Sequence, residues 1–512
     1  MVGVLPKPEL TDRETTMVTA QTTASPDHHV LAIVGSGFAG IGAAVRLSKL
    51  HEGSVVIFER AATLGGVWRD NDYPGAACDV QSLLYSFSFA PSHRWRHTFA
   101  RQAEIREYLE RVARENGLLP RLRAECAVTS MTWDPSTARW TLETARGTST
   151  ADHVVLATGS LADPTLPAVD GIESFEGVMF HSSQWDHETD LSGRRVAVVG
   201  TGASAIQFVP KIQPIVGSLT VFQRTAPWVM PREDKPISST RRALLRTIPG
   251  YQRALRALIY AEREIKLLAF RHPFLMAIGE KEGRAQLHHA VRDPELRDKL
   301  TPNYRMGCKR ILLSDEYYPA LAQPNVNVET VGVSRVTPRG VVDANGTAHE
   351  VDAIIFGTGF ETSRLPLTDR VFDGRGRSMA DGWGDSPRAY LGTMVANFPN
   401  LYLMHGPNIA LGHTSVILMF ESQIHYIERV MAHALRTGGS VEPTVTAQAQ
   451  YADKIDDLTD GTVWTSGGCS SWYLDPAGRN SNLWPGSILG YRSRAMRFDR
   501  SRHTTRIRAV AR

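Results

Sequence analysis

The chain has 512 residues, 42% of them hydrophobic and 21% charged, and 57 basic against 53 acidic side chains leave a net charge of +4. That length admits two or three domains with substantial cores, and the near balance of charge argues against nucleic acid as a partner. No apolar run approaches the ~18 residues of a membrane span. The four cysteines, at 78, 126, 308 and 469, make no CxxC pair, which removes a zinc knuckle and a redox dithiol and predicts reduced thiols in a cytoplasmic protein.

Residues 1–27 hold Pro6, Pro8, Pro26 and many Thr but no apolar h-region, so they read as a flexible leader and not a secretory signal. Residues 30–34 are a short apolar run, the mark of a buried parallel strand. The run enters Gly35-Ser-Gly37-Phe38-Ala39-Gly40 and then a helix over 41–50. A second strand, 54–58, ends at Glu59, 19 residues after Gly40. The glycines permit a tight turn and close backbone approach to a pyrophosphate, and the helix N-terminus offers free N–H groups and a positive dipole end. The acid can accept from an adenosine ribose hydroxyl. Strand, turn, helix, strand and acid in that order predict a nucleotide-binding unit; the alternative is an incidental turn.

Next, Gly65-Gly66-Val-Trp68 leads through Tyr73-Pro74-Gly75 to Asp79. Gly, Pro and aromatics are too dense here for a regular element. The stretch predicts a packed loop able to carry function, and Tyr85 beyond it suits core or site equally. A surface helix over 100–116 presents Ile105, Tyr108, Leu109 and Val112 at helical spacing. Short strands over 122–150 turn at Asp134-Pro135 and Arg146-Gly147, and a buried strand at 154–157 enters Thr158-Gly159.

A second unit repeats the pattern after the stretch Phe175-Glu-Gly177-Val-Met-Phe-His181-Ser-Ser-Gln-Trp185-Asp186. A strand at 194–199 feeds Gly200-Thr201-Gly202-Ala203-Ser204-Ala205 and a helix; a strand at 219–222 leads into Gln223-Arg224-Thr225. Arg224 stands where Glu59 stood in the first unit. A carboxylate there would repel a 2′-phosphate and an arginine pairs with one, so this unit should prefer NADP(H). A solvated surface arginine is the alternative. Residues 236–302 carry Leu244, Leu245, Leu255, Leu258, Ile259, Ile265 and Leu268 at helical spacing, broken by Pro249, Pro273 and Pro294. They predict a helical insertion whose apolar faces form core or a substrate-tunnel wall in preference to a membrane anchor; no chemistry is assigned to it. Lys309 and Arg310 follow Gly307-Cys308 and precede an apolar run, and by themselves they suit a loop salt bridge. Strands follow at 352–356 and 401–404, a helix at 421–435, and a mobile loop rich in Gly, Asn and Pro around Trp472. Eight arginines between 492 and 512 predict a solvated, partly disordered end, with an anionic partner as the alternative.

Together these motifs resemble the signatures of type I Baeyer–Villiger monooxygenases, in class B of the flavoprotein monooxygenases. FxGxxxHxxxWD lies at 175–186 and GGxWxxxx[FY]PGxxxD at 65–79, between and beside two dinucleotide fingerprints, and the likeness spans about residues 30–475. It implies an α/β fold of two Rossmann-like dinucleotide-binding domains with a helical insertion in the NADP domain. FAD would occupy a domain of residues 28–165 and 366–490, and NADP one of 166–235 and 303–365. Residues 236–302 would be the insertion and 491–512 a basic tail. The resemblance implies FAD, NADPH and O2 acting on a small-molecule ketone or aldehyde, giving an ester or lactone through a flavin C4a-peroxide. For FAD it points to Gly35, Gly37, Phe38, Ala39, Gly40, Glu59, Gly66, Trp68, Asp79 and Tyr85. For NADP it points to Gly200, Thr201, Gly202, Ala203, Ser204, Arg224, Thr225, Lys309, Arg310, which also helps place the nicotinamide, and Trp472, which folds over it. Arg310 matches the active-site arginine. A developing oxyanion needs fixed positive charge, and a guanidinium does not give up its proton; Asp79 can orient it. His181 and Trp185 are expected to couple domain movement to catalysis. Two rival readings are heteroatom oxygenation, against which the Trp185-Asp186 ending speaks, and a catalytically silent FAD/NADP-binding protein.

Overall fold

A strand that is apolar on both faces must sit in a sheet covered on both sides, and two such sheets organise the molecule. The computed structural model describes residues 27–507 apart from 52, 53 and 363, so the expected leader, save Asp27, lies outside the described residues. The first sheet runs Val371–Phe372, Val128–Asp134, Arg139–Thr144, Gly147–Leu156, Asp27–Val34, Val55–Phe58, Leu122–Arg123, with Leu401–Leu403 pairing to Gly147–Leu156 off that path. Strand Gly147–Leu156 forks: its beginning lies antiparallel to Arg139–Thr144 and its end carries Leu401–Leu403 in parallel. The second sheet has five parallel strands in the order Val326–Glu329, Ser218–Phe222, Arg195–Val199, Ala353–Phe356, Val178–His181. The α/β class and the two Rossmann-like units are as expected.

The chain crosses from the first sheet after Leu156 and returns after Phe356, and the two crossings are bonded to each other. Thr165 N donates to the Gly359 carbonyl at 3.0 Å, Glu361 N to the Asp163 carbonyl at 2.9 Å, and Pro164 bridges Phe360. Helix Phe38–Leu47 begins inside the first fingerprint, three residues before the predicted start, because Gly37 caps it from an extended conformation.

The insertion consists of helices Ser239–Thr247, Tyr251–Arg271, Met276–Ala290 and Pro294–Lys299. The three prolines fall at the breaks, and Pro294 opens the last helix behind its Asp293 cap. Its apolar residues do not all form core. Leu245 and Leu267 are buried and Leu255 and Ile259 pack against core, but Leu244, Leu258, Ile265 and Leu268 are exposed. The long helix carries two apolar stripes and only one of them meets a neighbour.

Two further expectations are corrected. The basic end is regular structure as far as Ile507: helix Ile488–Ala495 is followed by strand His503–Ile507, antiparallel to Gly439–Pro443. Arg506 pairs with Glu442 and Arg502 with Asp499, so these cations are held by carboxylates; Arg508 and Arg512 lie outside the described residues. And the cysteines are not all thiols. Cys308 and Cys469 form a disulfide with their Cα atoms 6.2 Å apart, while Cys78 and Cys126 are buried and free. The lack of a CxxC motif says nothing about cysteines 161 residues apart in the chain. Among the described residues no helix is long and apolar enough to cross a membrane.

Candidate active site

Each fingerprint makes a turn that only glycine fits. Gly35 has φ +103°, and a Cβ there would lie 2.4 Å from the Ala157 carbonyl oxygen. A Cβ on Gly40 would lie 1.9 Å from the Gly35 oxygen, and one on Gly66 would lie 3.0 Å from the Gly37 Cα. The Gly65-Gly66 loop thus closes on the fingerprint. Gly37 provides no side-chain cap, so the amides of Phe38, Ala39 and Gly40 face outward along the helix axis, the arrangement a pyrophosphate requires. The Phe38 ring itself is core, packed on Tyr85 and Phe87. In the second turn Gly200, at φ +104°, would bring a Cβ within 2.5 Å of the Gly357 oxygen. Thr201 to Ser204 lead into helix Ala205–Ile212 without a side-chain cap. Both turns fit a dinucleotide.

Glu59 is buried at the end of its strand. Its carboxylate accepts from Ser36 Oγ at 2.6 Å, from the Ser36 and Ala61 amides at 3.1 and 3.0 Å, and from Arg69 Nη1 at 3.0 Å. A ribose hydroxyl would share these oxygens. Trp68 Nε1 donates to Tyr85 Oη at 3.0 Å, which turns two expected site residues into one rigid wall. Burial raises the Tyr85 hydroxyl well above the ordinary phenol range, so it stays protonated.

The central arrangement is the Arg310–Asp79 pair. Arg310 donates from Nε at 2.9 Å and Nη2 at 2.5 Å to the same Asp79 oxygen, Oδ2. Nη1 makes no hydrogen bond among the described residues. The two side chains lie deep in a cleft, yet 36% of one and 28% of the other remain open. Burial works against ionisation of Asp79, but the charge and hydrogen bonds of Arg310, with Arg263 behind, outweigh it and hold the carboxyl below its ordinary range. The Asp79 charge in turn raises Arg310 despite burial. Tyr473, next to this pair, is pushed up to about 12 by burial. The Cys78 thiol is raised by burial and by the Asp79 charge, so it is an inert neighbour.

Lys309 and Arg224 are near enough for the arginine's charge to act on the lysine. Neither forms an ion pair among the described residues; Lys309 lies over the Tyr304 ring at 5.2 Å, and Arg224 runs along Gly332. Burial, then the Arg224 charge, lowers Lys309 below the ordinary lysine value. Two uncompensated cations held together call for a dianion such as a phosphate. Thr225 follows Arg224 and is half-buried.

The loop expected to be mobile is tied down. Cys469 is bonded to Cys308, Asn480 is held by Thr459 and Leu483, and Asn482 Nδ2 donates to the Trp472 carbonyl at 2.7 Å. The Trp472 ring lies on Tyr473, centroids 4.6 Å apart, with its outer surface exposed.

His181 and Trp185 stand apart from the ion pair. His181 ends the edge strand of the second sheet, its Nδ1 is bonded to Ser183 Oγ at 2.8 Å, and its ring meets Phe360 edge-on at the returning crossing. Burial keeps it below the ordinary histidine range. Trp185 packs on Phe180 and Phe208, and Phe208 on Tyr73 of the Asp79-bearing loop. Both residues therefore join the two halves by packing.

Several residues at the site were not singled out in the sequence. Gln207 accepts from Tyr73 Oη and the Ala77 amide and donates to the Ala77 carbonyl. The insertion, to which no chemistry was assigned, reaches the site through Arg263, on Gln81 and near Asp79. Arg256 Nη1 donates to the carbonyls of Leu83, Leu84 and Ser86. The seven-residue spacing of those arginines, one face of a helix, was the available signal. Arg232 donates to the Cys78 carbonyl at 3.2 Å and lies over Phe99; nothing in the sequence marks it.

Comparison with known proteins adds to this geometry. The model of the flavin-binding monooxygenase-like family matches residues 28–373. A Baeyer–Villiger monooxygenase of Streptomyces coelicolor is 48% identical over 476 residues, 92% of each chain. One of Pseudomonas aeruginosa is 46% identical over 495 residues, 96% of this chain and 94% of that one. The crystal structure of cyclohexanone monooxygenase from Rhodococcus sp. Phi1 bound to NADP+ superposes with a TM-score of 0.84 at 28% identity, covering 94% of this chain and all of that one.

Proposed function

Since the chain belongs to the flavin-binding monooxygenase-like family, we propose that Arg310, held by Asp79, is the fixed cation at the oxygen-insertion site of an FAD- and NADPH-dependent Baeyer–Villiger monooxygenase. The enzyme inserts one atom of O2 beside a ketone carbonyl to give an ester or lactone. The flavin, when bound, supplies the redox and oxygen-activating chemistry; the protein supplies position, charge and dryness.

The observation that carries the assignment is the asymmetric pairing of Arg310. Asp79 takes Nε and Nη2 and leaves Nη1 for the substrate side. A donor fixed before reaction would stabilise negative charge developing on the substrate's carbonyl oxygen without reorganising. Asp79 keeps the guanidinium aimed and remains ionised.

The first turn and Trp68, Tyr85 and Glu59 hold FAD in this reading. The second turn, with Arg224, Thr225 and Lys309, holds NADP through its 2′-phosphate, and Trp472 covers the nicotinamide. Residues 28–165 and 366–490 form the FAD side, and 166–235 and 303–365 the NADP side, which the two separate sheets, one mixed and one parallel, support. His181 and Trp185 transmit movement between them. We place the enzyme in the cytoplasm, which its NADPH demand and two free buried thiols support; the Cys308–Cys469 bond weighs the other way.

The test is Arg310→Ala. FAD should remain bound and the fold intact, because the guanidinium lines a cleft, while ester formation should fall ~100-fold or more. Stopped-flow oxidation of the NADPH-reduced variant, with product analysis, measures it. Ester at near wild-type rate would move the catalytic cation elsewhere.

A further inference from the structure

The helical insertion leaves an apolar face open. On helix Tyr251–Arg271, Leu258, Ala261, Ile265 and Leu268 recur at spacings of three, four and three, one stripe along the axis. Leu258, Ile265 and Leu268 are each more than half exposed, and so are Phe274 and Ile278 at the next turn of chain. The helix is 21 residues long, so the stripe runs along an axis of roughly 30 Å. Leu489 joins it from the other end of the sequence: it is also more than half exposed, and its neighbour Ile488 donates its amide to Glu264 of this helix at 2.8 Å. Isolated apolar side chains on a surface need no explanation, whereas a contiguous row on one long helix marks a contact surface.

Charge decides what the surface meets. Residues 239–290 hold ten Lys and Arg against four Glu; Arg256 and Arg263 turn inward to the site, which leaves eight cations against the four Glu. Arg253 and Arg271, five turns apart and both exposed, border the stripe on one side; on the other, Lys266 is exposed but paired with Glu262 at 2.9 Å, so the excess positive charge lies on the side of the two arginines. Arg492 approaches from helix Ile488–Ala495, near Tyr260. A second copy of the same face would bring like charges together. A surface both apolar and anionic suits all of these features. We infer that this face seats the enzyme on an anionic lipid bilayer, with the apolar stripe at the level of the acyl boundary and the arginines among the headgroups. The helix lies on the membrane and does not cross it, in keeping with its interrupted hydropathy.

The test is co-sedimentation of the full-length, FAD-bound protein with vesicles. One set is phosphatidylcholine alone and the other contains about a third phosphatidylglycerol. Binding to the anionic set should be at least ~10-fold stronger and should weaken in high salt. The exposed-face variant Leu258→Gln/Ile265→Gln/Phe274→Gln should lose it while keeping its flavin spectrum and its oxygenation of a small water-soluble ketone. Arg253→Gln/Arg271→Gln should weaken anionic binding alone. Wild-type protein left in the supernatant with both vesicle sets overturns the inference, as does equal binding of the triple variant. A concentration-dependent dimer abolished by the triple variant, without vesicle binding, would assign the face to a second copy instead. Sedimentation requires no turnover, so failure here leaves the oxygenation site untouched.

Discussion

Asp79→Asn isolates what the aspartate does for the arginine. The substitution keeps the shape and one acceptor but removes the charge, and that charge faces Arg310 and Arg263. Arg310 now spends two donors on one Asp79 oxygen, at 2.9 and 2.5 Å. Hydrogen bonds between charged groups contribute roughly 1.5–3 kcal/mol each. An amide oxygen in the place of Oδ2 still accepts both bonds, but at neutral strength, roughly 0.5–1.5 kcal/mol each, and solvent already screens part of the charged contribution because the pair is about a third open. A net loss of ~2 kcal/mol in positioning remains, about 30-fold in ester formation. The assay is kcat/KM for ester production together with the fraction of NADPH lost to hydrogen peroxide, which should rise as the guanidinium wanders. Because Asp79 acts through Arg310, Asp79→Asn/Arg310→Ala should be no worse than Arg310→Ala alone. A single variant within ~3-fold of wild type, or additive losses in the double variant, would refute the reasoning.

Arg224→Ala should raise KM for NADPH ~10-fold or more, from the loss of a charge-assisted bond, and leave KM for NADH nearly unchanged; equal losses with both would remove the 2′-phosphate role. Lys309 binds phosphate only when protonated, and its pKa is lowered, so its proton leaves earlier on raising the pH than an ordinary lysine's. KM for NADPH should therefore climb from neutral into alkaline buffer while KM for NADH does not, and Lys309→Ala should flatten the slope; parallel profiles for the two nucleotides in wild type would contradict this. His181→Ala should slow turnover with FAD still bound, since its ring contacts the crossing at Phe360 and not the first turn; a colourless apoprotein would make it structural.

What could be read from the sequence was what local chemistry writes there. The two glycine turns, the parallel strands beside each of them and the proline-punctuated insertion follow from periodicity and from glycine's freedom at positive φ. The pairing of Arg310 with Asp79 rested on a resemblance and on charge logic, and the two meet across 231 residues. Other features escaped because they depend on three-dimensional neighbours. Cys308 and Cys469 carry no mutual signal in the chain. The described arginines of the C-terminal end are largely solvated, as read, but the order of the chain that carries them depends on the pairing of His503–Ile507 with Gly439–Pro443, which no local pattern announces. The insertion shows apolar spacing on two stripes, and periodicity alone does not say which of them will find a partner.

The Cys308–Cys469 bond has a mechanical corollary. Arg310 lies two residues from one sulfur and Trp472 three residues from the other, so the two loops behave as a single jaw. On the proposed role of Trp472, any shift of its loop on nucleotide release would pass through this bond to the chain beside Arg310, so exchange and the aim of the guanidinium would be coupled. Cleaving the bond would give the jaw a second joint and let nucleotide depart while the arginine stayed in place.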